Sequence, residues 1–231
     1  MHGRMTIILF LTLGSAISSG HVAADEADAQ KDRVREACPG VAVWERGRAT
    51  ASTSEVNLPT ASNPALRDKL VGMAHADQTS RNIPPEKLAS EGAAALDGVN
   101  KVDAVNLRNL QEIVRVSGVP TLRTIGGKGM EAFWILVQHA DRDPSLQEQV
   151  LSALSSDRQG LPLSEIALLT DRIQVNRGKP QVYGTQFHRE NGQFVPDAIQ
   201  EPGSLAERRR RMDLMPLSDY ECVLQATYSH R

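Results

Sequence analysis

Cysteine and aromatic residues are scarce in this chain. Cys38 and Cys222 are its two cysteines, and Phe, Trp and Tyr together make up 4% of the 231 residues. The cysteines lack the Cys-x-x-Cys spacing of dithiol redox proteins, and no aromatic residues alternate with basic ones as in sites that stack nucleic-acid bases. The composition therefore favours neither a thiol-redox site nor a nucleic-acid site.

The chain also lacks a strong charge of either sign. It carries 26 Lys and Arg against 28 Asp and Glu, which gives a formal net charge of −2. This balance provides no general electrostatic reason to bind nucleic acid or anionic lipid. The basic run Arg208–Arg211 follows a Ser204-x-x-Glu207 capping box, and cations in the last turn of a short helix are easily solvated. We therefore expect no nucleic-acid partner.

Long hydrophobic runs are absent. Arg4 precedes an apolar run over residues 5–13, which is far shorter than the ~20 residues of a membrane span. Small residues then lead to Val22–Ala24, a pattern that signal peptidase accepts. The sequence predicts a signal peptide over residues 1–24 and export of Asp25–Arg231 to the periplasm or the extracellular space, with no membrane span left. The alternative is a short buried helix at the N-terminus.

An oxidising destination favours a disulfide bond between the two cysteines. They stand near the two ends of the mature chain, so a Cys38–Cys222 bond would close nearly all of it into one loop. The chain-entropy model assigns a loop of that length about 5 kcal/mol of stabilisation as an upper figure. Two free thiols are the alternative.

Helical periodicity dominates the chain after residue 62. Residues 25–62 are predicted to be an N-terminal segment that ends in a flexible linker, Ala49–Ser62, and residues 63–231 a single domain. The state of Asn82–Leu96 stays open. Apolar spacing, caps and prolines predict helices over Pro64–Arg81, Asp103–Ser117, Gly129–Arg142, Pro144–Ser155 and Pro162–Asn176, and short ones after capping boxes at Ser204 and Ser218.

The hydrophobic period changes beyond residue 180. β-Branched and aromatic residues flank Asn191-Gly192, a dipeptide that favours two-residue hairpin turns. The pattern predicts strands over Val182–Arg189 and Gln193–Val195. We therefore expect a mainly α (α+β) fold of about six to seven helices with one β-hairpin near residues 182–195.

The tripeptide His-Ala-Asp occurs twice, at His75–Asp77 and at His139–Asp141. Side chains two residues apart on a helix point about 200° apart, so neither copy can direct both groups at one ion. We predict no metal site and no cofactor. Asp77 and Asp141 each fall on the apolar stripe of a predicted helix, where a carboxylate must cap a backbone, pair with a cation or face a polar pocket. The alternative is that the helix ends fray into solvent.

The two histidines of these tripeptides differ in their surroundings. His75 lies on an ordinary helix face and is expected in solvent. His139 follows the run Phe133–Val137, which is apolar on all sides and is typical of a buried helix. His139 is therefore expected to be semi-buried, either as a hydrogen-bonded core residue or as a catalytic base.

A series of motifs resembles those of a widespread bacterial family of unknown function. The motifs are Asp77-Gln78, WILVQHADRDPSLQ (134–147), LLTDRIQV (168–175), KPQVYGTQF (179–187) and ERR…PLSDY (207–220). The resemblance covers about Leu66–Tyr228 and implies no activity. It departs at Val119–Thr121, which replaces a Trp-Pro-Gly-like turn. It implies that the positions to watch are Asp77, Gln78, Gln138, His139, Asp141, Asp171, Arg172, Tyr183, Thr185 and Gln186.

Three functions remain open. A hydrolase- or lyase-like enzyme would use His139 as acid or base, oriented by Asp141 or Asp171, while Tyr183 and Gln186 bind substrate. A periplasmic binding or structural module would use the same cluster as a buried hydrogen-bond network and would bind a small molecule or an envelope protein. An inhibitor- or immunity-like protein would need an exposed apolar patch.

Overall fold

A computed structural model describes residues 21–49, 60–156 and 161–228. Residues 1–20 of the predicted signal peptide and residues 50–59 of the predicted linker fall outside these ranges, whereas residues 21–24 belong to the first helix. The chain divides into two compact units. The terminal unit combines Met1–Glu55 with Lys179–Arg231, and the central unit is Val56–Gly178.

The structure is 73% helical with one two-stranded hairpin, which confirms the predicted fold class. From Pro64 onward the described residues form eight α-helices, against about six to seven predicted. The stretch that the sequence left open holds a short α-helix, Pro85–Glu91, and a 3-10 helix, Gly92–Leu96. The α-helices are α1 (His21–Ala37), α2 (Pro39–Ala49), α3 (Pro64–Arg81), α4 (Pro85–Glu91), α5 (Asp97–Ser117), α6 (Leu122–Gln138), α7 (Pro144–Ser156), α8 (Leu163–Asn176), α9 (Leu205–Arg211) and α10 (Leu217–Tyr228).

The central unit packs the apolar faces of its helices around one hydrophobic core. α3 begins as predicted, because the Asn63 side chain accepts a hydrogen bond from the Leu66 N–H at 3.0 Å and Pro64 occupies the first turn. α3 packs on α5 and α6. The buried side chains of this core include Leu70, Leu110, Ile125, Phe133, Val150 and Leu169.

α5 is longer than predicted and carries a polar residue on its buried face. It begins at Asp97 rather than Asp103. Val105 is 47% exposed although it is apolar. The buried face runs through Asn106, Leu110, Ile113 and Val114. The polar Asn106 therefore lies on this face, whereas its apolar neighbour Val105 does not.

α6 also differs from its predicted bounds. It begins before Gly129, and Gly126 interrupts it with φ +67 and ψ 178, a backbone conformation that glycine adopts readily. α6 ends at Gln138, so Asp141 is not helical and its predicted place on the apolar stripe is wrong. The chain must leave α6 here because Asp143 caps α7, accepting from the Leu146 N–H at 3.0 Å, and the residue before a proline disfavours helical geometry.

The terminal unit has a second hydrophobic core and the disulfide. Cys38 and Cys222 are bonded, as predicted, with their Cα atoms 5.9 Å apart. Side chains from the α1–α2 region, the hairpin, α10 and the segment before α10 share this core. They are Val34, Cys38, Val41, Phe187, Phe194, Met215, Tyr220, Val223 and Leu224.

The predicted hairpin is confirmed, but its first strand is shorter. β1 (Phe187–Glu190) pairs antiparallel with β2 (Gln193–Pro196). The turn residues Asn191 and Gly192 have φ values of 50° and 80°, as a hairpin turn of this kind requires. The prediction of a strand over Val182–Gln186 is wrong, because side chains bind the backbone of that stretch, as the site geometry below shows.

The two predicted capping boxes do not form. α9 follows Ser204 directly, but the Ser204 side chain makes no cap hydrogen bond. Glu207 pairs with Arg210 and Arg211 at 2.8 Å each, so its carboxylate is already occupied. Ser218 lies inside α10 rather than before it. In the described part of the chain, no helix combines the length and apolarity that crossing a membrane requires.

Candidate functional site

A contact between Asp77 and His139 lies at the centre of the polar cluster in the central unit. Nδ1 of His139 is 2.9 Å from Oδ1 and 2.8 Å from Oδ2 of Asp77. Asp77 stands near the end of α3, and His139 directly follows α6 as its C-cap, so the packing of α3 on α6 brings them together. A carboxylate only accepts hydrogen bonds, so Nδ1 carries the proton and a neutral ring has its lone pair on Nε2.

Asp77 has two further partners on its own helix. Gln78 donates from Nε2 to Oδ2 at 2.8 Å, and Nη1 of Arg81 lies 3.3 Å from Oδ1. Arg81 in turn donates from Nη2 to Asp103 of α5 at 2.8 Å. Asp77 is therefore paired and fully buried, and the alternative in which it frays into solvent is wrong.

Side chains from α7 and α8 cap the end of α6. Gln147 donates from Nε2 to the carbonyl oxygen of Val137 at 3.0 Å. Arg172 donates from Nη1 to the carbonyl oxygen of Gln138. The last carbonyls of a helix have no partner within it, so these two bonds satisfy acceptors that would otherwise be unpaired inside the core.

Asp141 lies at the edge of this cluster. Its Oδ1 accepts a hydrogen bond from Nδ2 of Asn176 at 3.0 Å and is 3.7 Å from Nη1 of Arg172, and its side chain is 36% exposed. Asp141 thus faces the guanidinium, whereas the carboxylate at Nδ1 of His139 is that of Asp77. Asp171, the other carboxylate that we expected to orient the imidazole, is fully buried on α8.

Burial controls the protonation of this cluster. It lowers the pKa of His139 below the usual value; the contact with Asp77 raises that pKa, and Arg81 and Arg172 lower it further. The imidazole is therefore neutral at neutral pH. Burial also lowers the pKa of Arg172 to about 10, which leaves the guanidinium charged. A neutral imidazole held this way can accept a proton at Nε2 or act as a fixed hydrogen-bond donor.

A second titratable group in the central unit, Glu165, was not predicted from the sequence. It stands in the first turn of α8 and accepts a hydrogen bond from Nε1 of Trp134 at 2.8 Å. Burial raises the pKa of Glu165, and hydrogen bonds from Trp134 and Gln138 lower it. A buried indole N–H needs an acceptor, so the sequence did signal that Trp134 has a partner without showing which residue it is.

In the terminal unit, side chains hold the YGTQ loop (Tyr183–Gln186). Gln181 accepts from the Gln186 N–H at 2.8 Å and donates from Nε2 to the Gln186 carbonyl oxygen at 3.0 Å. Arg209 donates from Nη1 to the carbonyl oxygens of Tyr183 and Gly184 at 2.7 and 2.9 Å. These bonds occupy backbone groups that a strand would pair with its neighbour, which is why the loop is not part of β1.

The basic run Arg208–Arg211 also supplies hydrogen bonds to the backbone in and next to this loop. Arg208 donates from Nε to the carbonyl oxygen of Val182 at 2.7 Å. Arg209 is 2% exposed and its guanidinium lies 5.4 Å from the ring centroid of Tyr220. Our expectation of a solvated run is therefore wrong for Arg209, whereas the exposed Arg210 and Arg211 pair with Glu207 as described above.

Comparison with family models connects these observations. The family of unknown function DUF6624 matches residues 64–231. The chain belongs to this family. The match confirms the resemblance of the motifs and starts at the first residue of α3, so α1 and α2 lie outside it. Neither the curated proteins nor the solved structures provide a match.

Several of the positions that the family resemblance singled out lie close together in the central unit. Asp77, Gln78, Gln138, His139, Asp141 and Arg172 surround the end of α6, and Tyr183, Thr185 and Gln186 belong to the terminal unit. Arg81 was not predicted as a site residue, although its place four residues after Asp77 is a recognised ion-pair spacing. Among residues of described placement, no three His, Cys, Asp or Glu side chains are grouped to hold a metal ion.

Proposed function

We propose that the protein is exported and works in the periplasm or outside the cell as a non-catalytic module, binding a small molecule or an envelope protein. The pattern of Arg4, residues 5–13 and Val22–Ala24 supports export. The bond between Cys38 and Cys222 supports it independently, because disulfides persist in oxidising compartments. In this proposal the Asp77–His139 cluster stabilises the fold.

The burial of the Asp77–His139 cluster is the observation that supports a non-catalytic role. Asp77 is 0% exposed, Gln138 and Arg172 are each 1% exposed, and His139 is 8% exposed. An acid–base catalyst must come within hydrogen-bond reach of a substrate proton. A paired and enclosed polar network instead specifies how the surrounding helices pack.

The state of the imidazole favours a second candidate, a hydrolase- or lyase-like enzyme. A neutral histidine whose Nδ1–H is held by a carboxylate presents the lone pair of Nε2 as a general base does. His139 would be that base, and Asp77, rather than Asp141 or Asp171, would hold it. This candidate requires that a reagent from solvent can reach Nε2 in the folded protein.

Chemical modification separates the two candidates. Diethyl pyrocarbonate acylates the unprotonated nitrogen of accessible histidines, and peptide mass spectrometry locates each modified ring. For the native protein at pH 7 we expect modification of the exposed His75 and none of His139. Unfolding in urea should make both residues reactive, which is the control for intrinsic reactivity.

Two outcomes decide between the candidates. Protection of His139 in the native chain supports the non-catalytic module. Modification of His139 at a rate close to that of His75 would contradict the enclosure and favour the enzyme.

Export has a separate test. We expect the full-length chain, expressed in a bacterial host, to be recovered from the periplasmic fraction with a mass that begins at Asp25. The Ala24→Leu variant should keep the longer mass, because the residue before the cleaved bond must be small. Recovery of the uncleaved wild-type chain from the cytoplasm would refute export and leave the role of the cluster untouched.

A further inference from the structure

α1 and α2 precede the part of the chain that matches the family. Within the terminal unit they pack on α10, which belongs to that part. The family match begins at residue 64, whereas α1 and α2 end at Ala49. Both helices pack on α10, and α10 also packs on β2. The one disulfide, Cys38–Cys222, joins the junction of α1 and α2 to α10. The two helices thus have a covalent tie and a packed contact to the same element.

The packing of α1 and α2 on the rest of the terminal unit buries few side chains for two helices of this length. Among the described side chains of α1, α2 and their junction, those that are buried are Val34, Cys38 and Val41. Trp44 is partly buried against the same core, and Val43 is 62% exposed. The ion pair between Arg35 and Glu45, 2.9 Å long, links the two helices to each other rather than to α10.

We propose that the Cys38–Cys222 bond is a redox latch that decides whether α1 and α2 stay on α10. With the bond intact, the helices are confined next to α10 at a high effective concentration. A dithiol reductant would supply two electrons and two protons. The S–S bond would break, two thiols would form and the dithiol would become a disulfide. Val34, Cys38, Val41 and the partly buried Trp44 then pack on this core without a covalent tie to α10.

Opening the latch would uncover an apolar face. The side chains that share a core with α1 and α2 come from the hairpin and the C-terminal region: Phe187, Phe194, Met215, Tyr220, Val223 and Leu224. A patch of this kind binds hydrophobic dyes and is a typical protein-interaction surface. The redox state would thus switch the terminal unit between a covered and an uncovered form. The inference concerns the terminal unit alone and does not depend on the proposed function.

Hydrogen exchange with mass spectrometry on the chain Asp25–Arg231 tests the latch. We compare the oxidised protein, the same protein reduced with dithiothreitol, and the Cys38→Ala/Cys222→Ala variant, which cannot form the bond. We expect amides of residues 28–47 to exchange about 100-fold faster without the bond. Amides of residues 64–156 should keep their rates, and dye binding should increase.

Each other outcome overturns the proposal. Equal protection of residues 28–47 in all three samples would show that packing alone holds the helices. Faster exchange throughout α10 and the hairpin would show that the bond maintains the whole terminal unit rather than a latch. The reduced wild-type chain covers the case in which the double variant does not fold, because its bond is broken only after folding is complete.

Trp44 offers an optical check on the same samples. Its environment should become more polar when α2 leaves the core, so we expect a red shift of the emission on reduction. Trp134 lies in the core of the central unit and should not respond. The Trp44→Phe variant is the matched control, and persistence of the shift in that variant would count against release of α2.

Discussion

Asp77 and His139 show how single buried residues constrain one another. A buried carboxylate without a partner is costly, and here the imidazole, Gln78 and Arg81 together compensate it. The imidazole in turn stays neutral because burial outweighs the attraction of Asp77. Removing the imidazole leaves Asp77 with Gln78 and Arg81 only, and removing Asp77 takes away the acceptor that Nδ1 of His139 uses, so both residues are sensitive to substitution.

Glu165 permits a sharp prediction at the same scale. Glu165→Gln keeps an oxygen that can accept from Nε1 of Trp134 and removes a partly buried carboxylate, so we expect unchanged or higher stability at pH 7. Glu165→Ala leaves the indole N–H without an acceptor and should cost about 1–3 kcal/mol. Urea unfolding followed by circular dichroism measures both.

Glu165→Gln is the control for Glu165→Ala, because it keeps the hydrogen-bond acceptor and removes only the charge. If the glutamine variant lost as much stability as the alanine variant, the carboxylate charge rather than the hydrogen bond would hold Trp134. The raised pKa of Glu165 argues against that result, because burial disfavours its charged form.

At the scale of elements, side chains that bind backbone groups decide where helices and strands end. Gln147 and Arg172 terminate α6 by taking its last carbonyls. Gln181 and Arg209 keep the YGTQ loop out of the hairpin by binding its backbone. Both sets of hydrogen bonds come from residues that are distant in sequence, so the local sequence pattern does not predict them.

Arg209 tests this view of the loop. Its guanidinium bridges the carbonyl oxygens of Tyr183, Gly184 and Met215. Lysine has one ammonium group and cannot reach all three, so Arg209→Lys should lower the free energy of unfolding by about 2–3 kcal/mol. Arg210→Lys, on the same helix but exposed, should change it by less than about 0.5 kcal/mol. Equal effects of both variants in urea unfolding would contradict the bridging role.

Local signals in the sequence predicted part of the fold. The Asn63 cap with Pro64, the Asn191-Gly192 turn and the two cysteines identified α3, the hairpin and the disulfide. The end of α6 at Gln138 could not be predicted in this way, because the apolar pattern continues to Ala140 and the stop comes from the cap of α7. The burial of Asp77 followed from its helical position, but its pairing with His139 needed the packing of α3 on α6.

At the scale of the whole molecule, the chain combines two units with different means of stabilisation. The central unit relies on a helical core and a buried polar cluster around the end of α6. The terminal unit adds a disulfide that joins α10 to helices outside the family match. The proposed non-catalytic role depends on the buried polar cluster, and the proposed latch depends on the disulfide, so failure of one leaves the other standing.

The buried neutral imidazole also makes the stability of the molecule depend on pH. The pKa of His139 in the folded chain lies below that of the unfolded chain. Below about pH 6.5 the unfolded chain therefore takes up a proton that the folded chain does not. Stability from this group is complete above that pH and is lost as the pH falls toward the folded pKa, by up to about 1.4 kcal/mol per pH unit.

The most direct test of the buried Asp77–His139 pair is the free energy of unfolding between pH 7.5 and 4.5 for three chains. Wild type and His75→Gln should lose stability below about pH 6.5 with the same slope. His139→Gln should begin about 1–3 kcal/mol lower at pH 7.5 and show a shallower slope, because the titrating ring is gone. A His139→Gln slope equal to that of wild type would contradict a buried neutral imidazole and with it the account of the central unit.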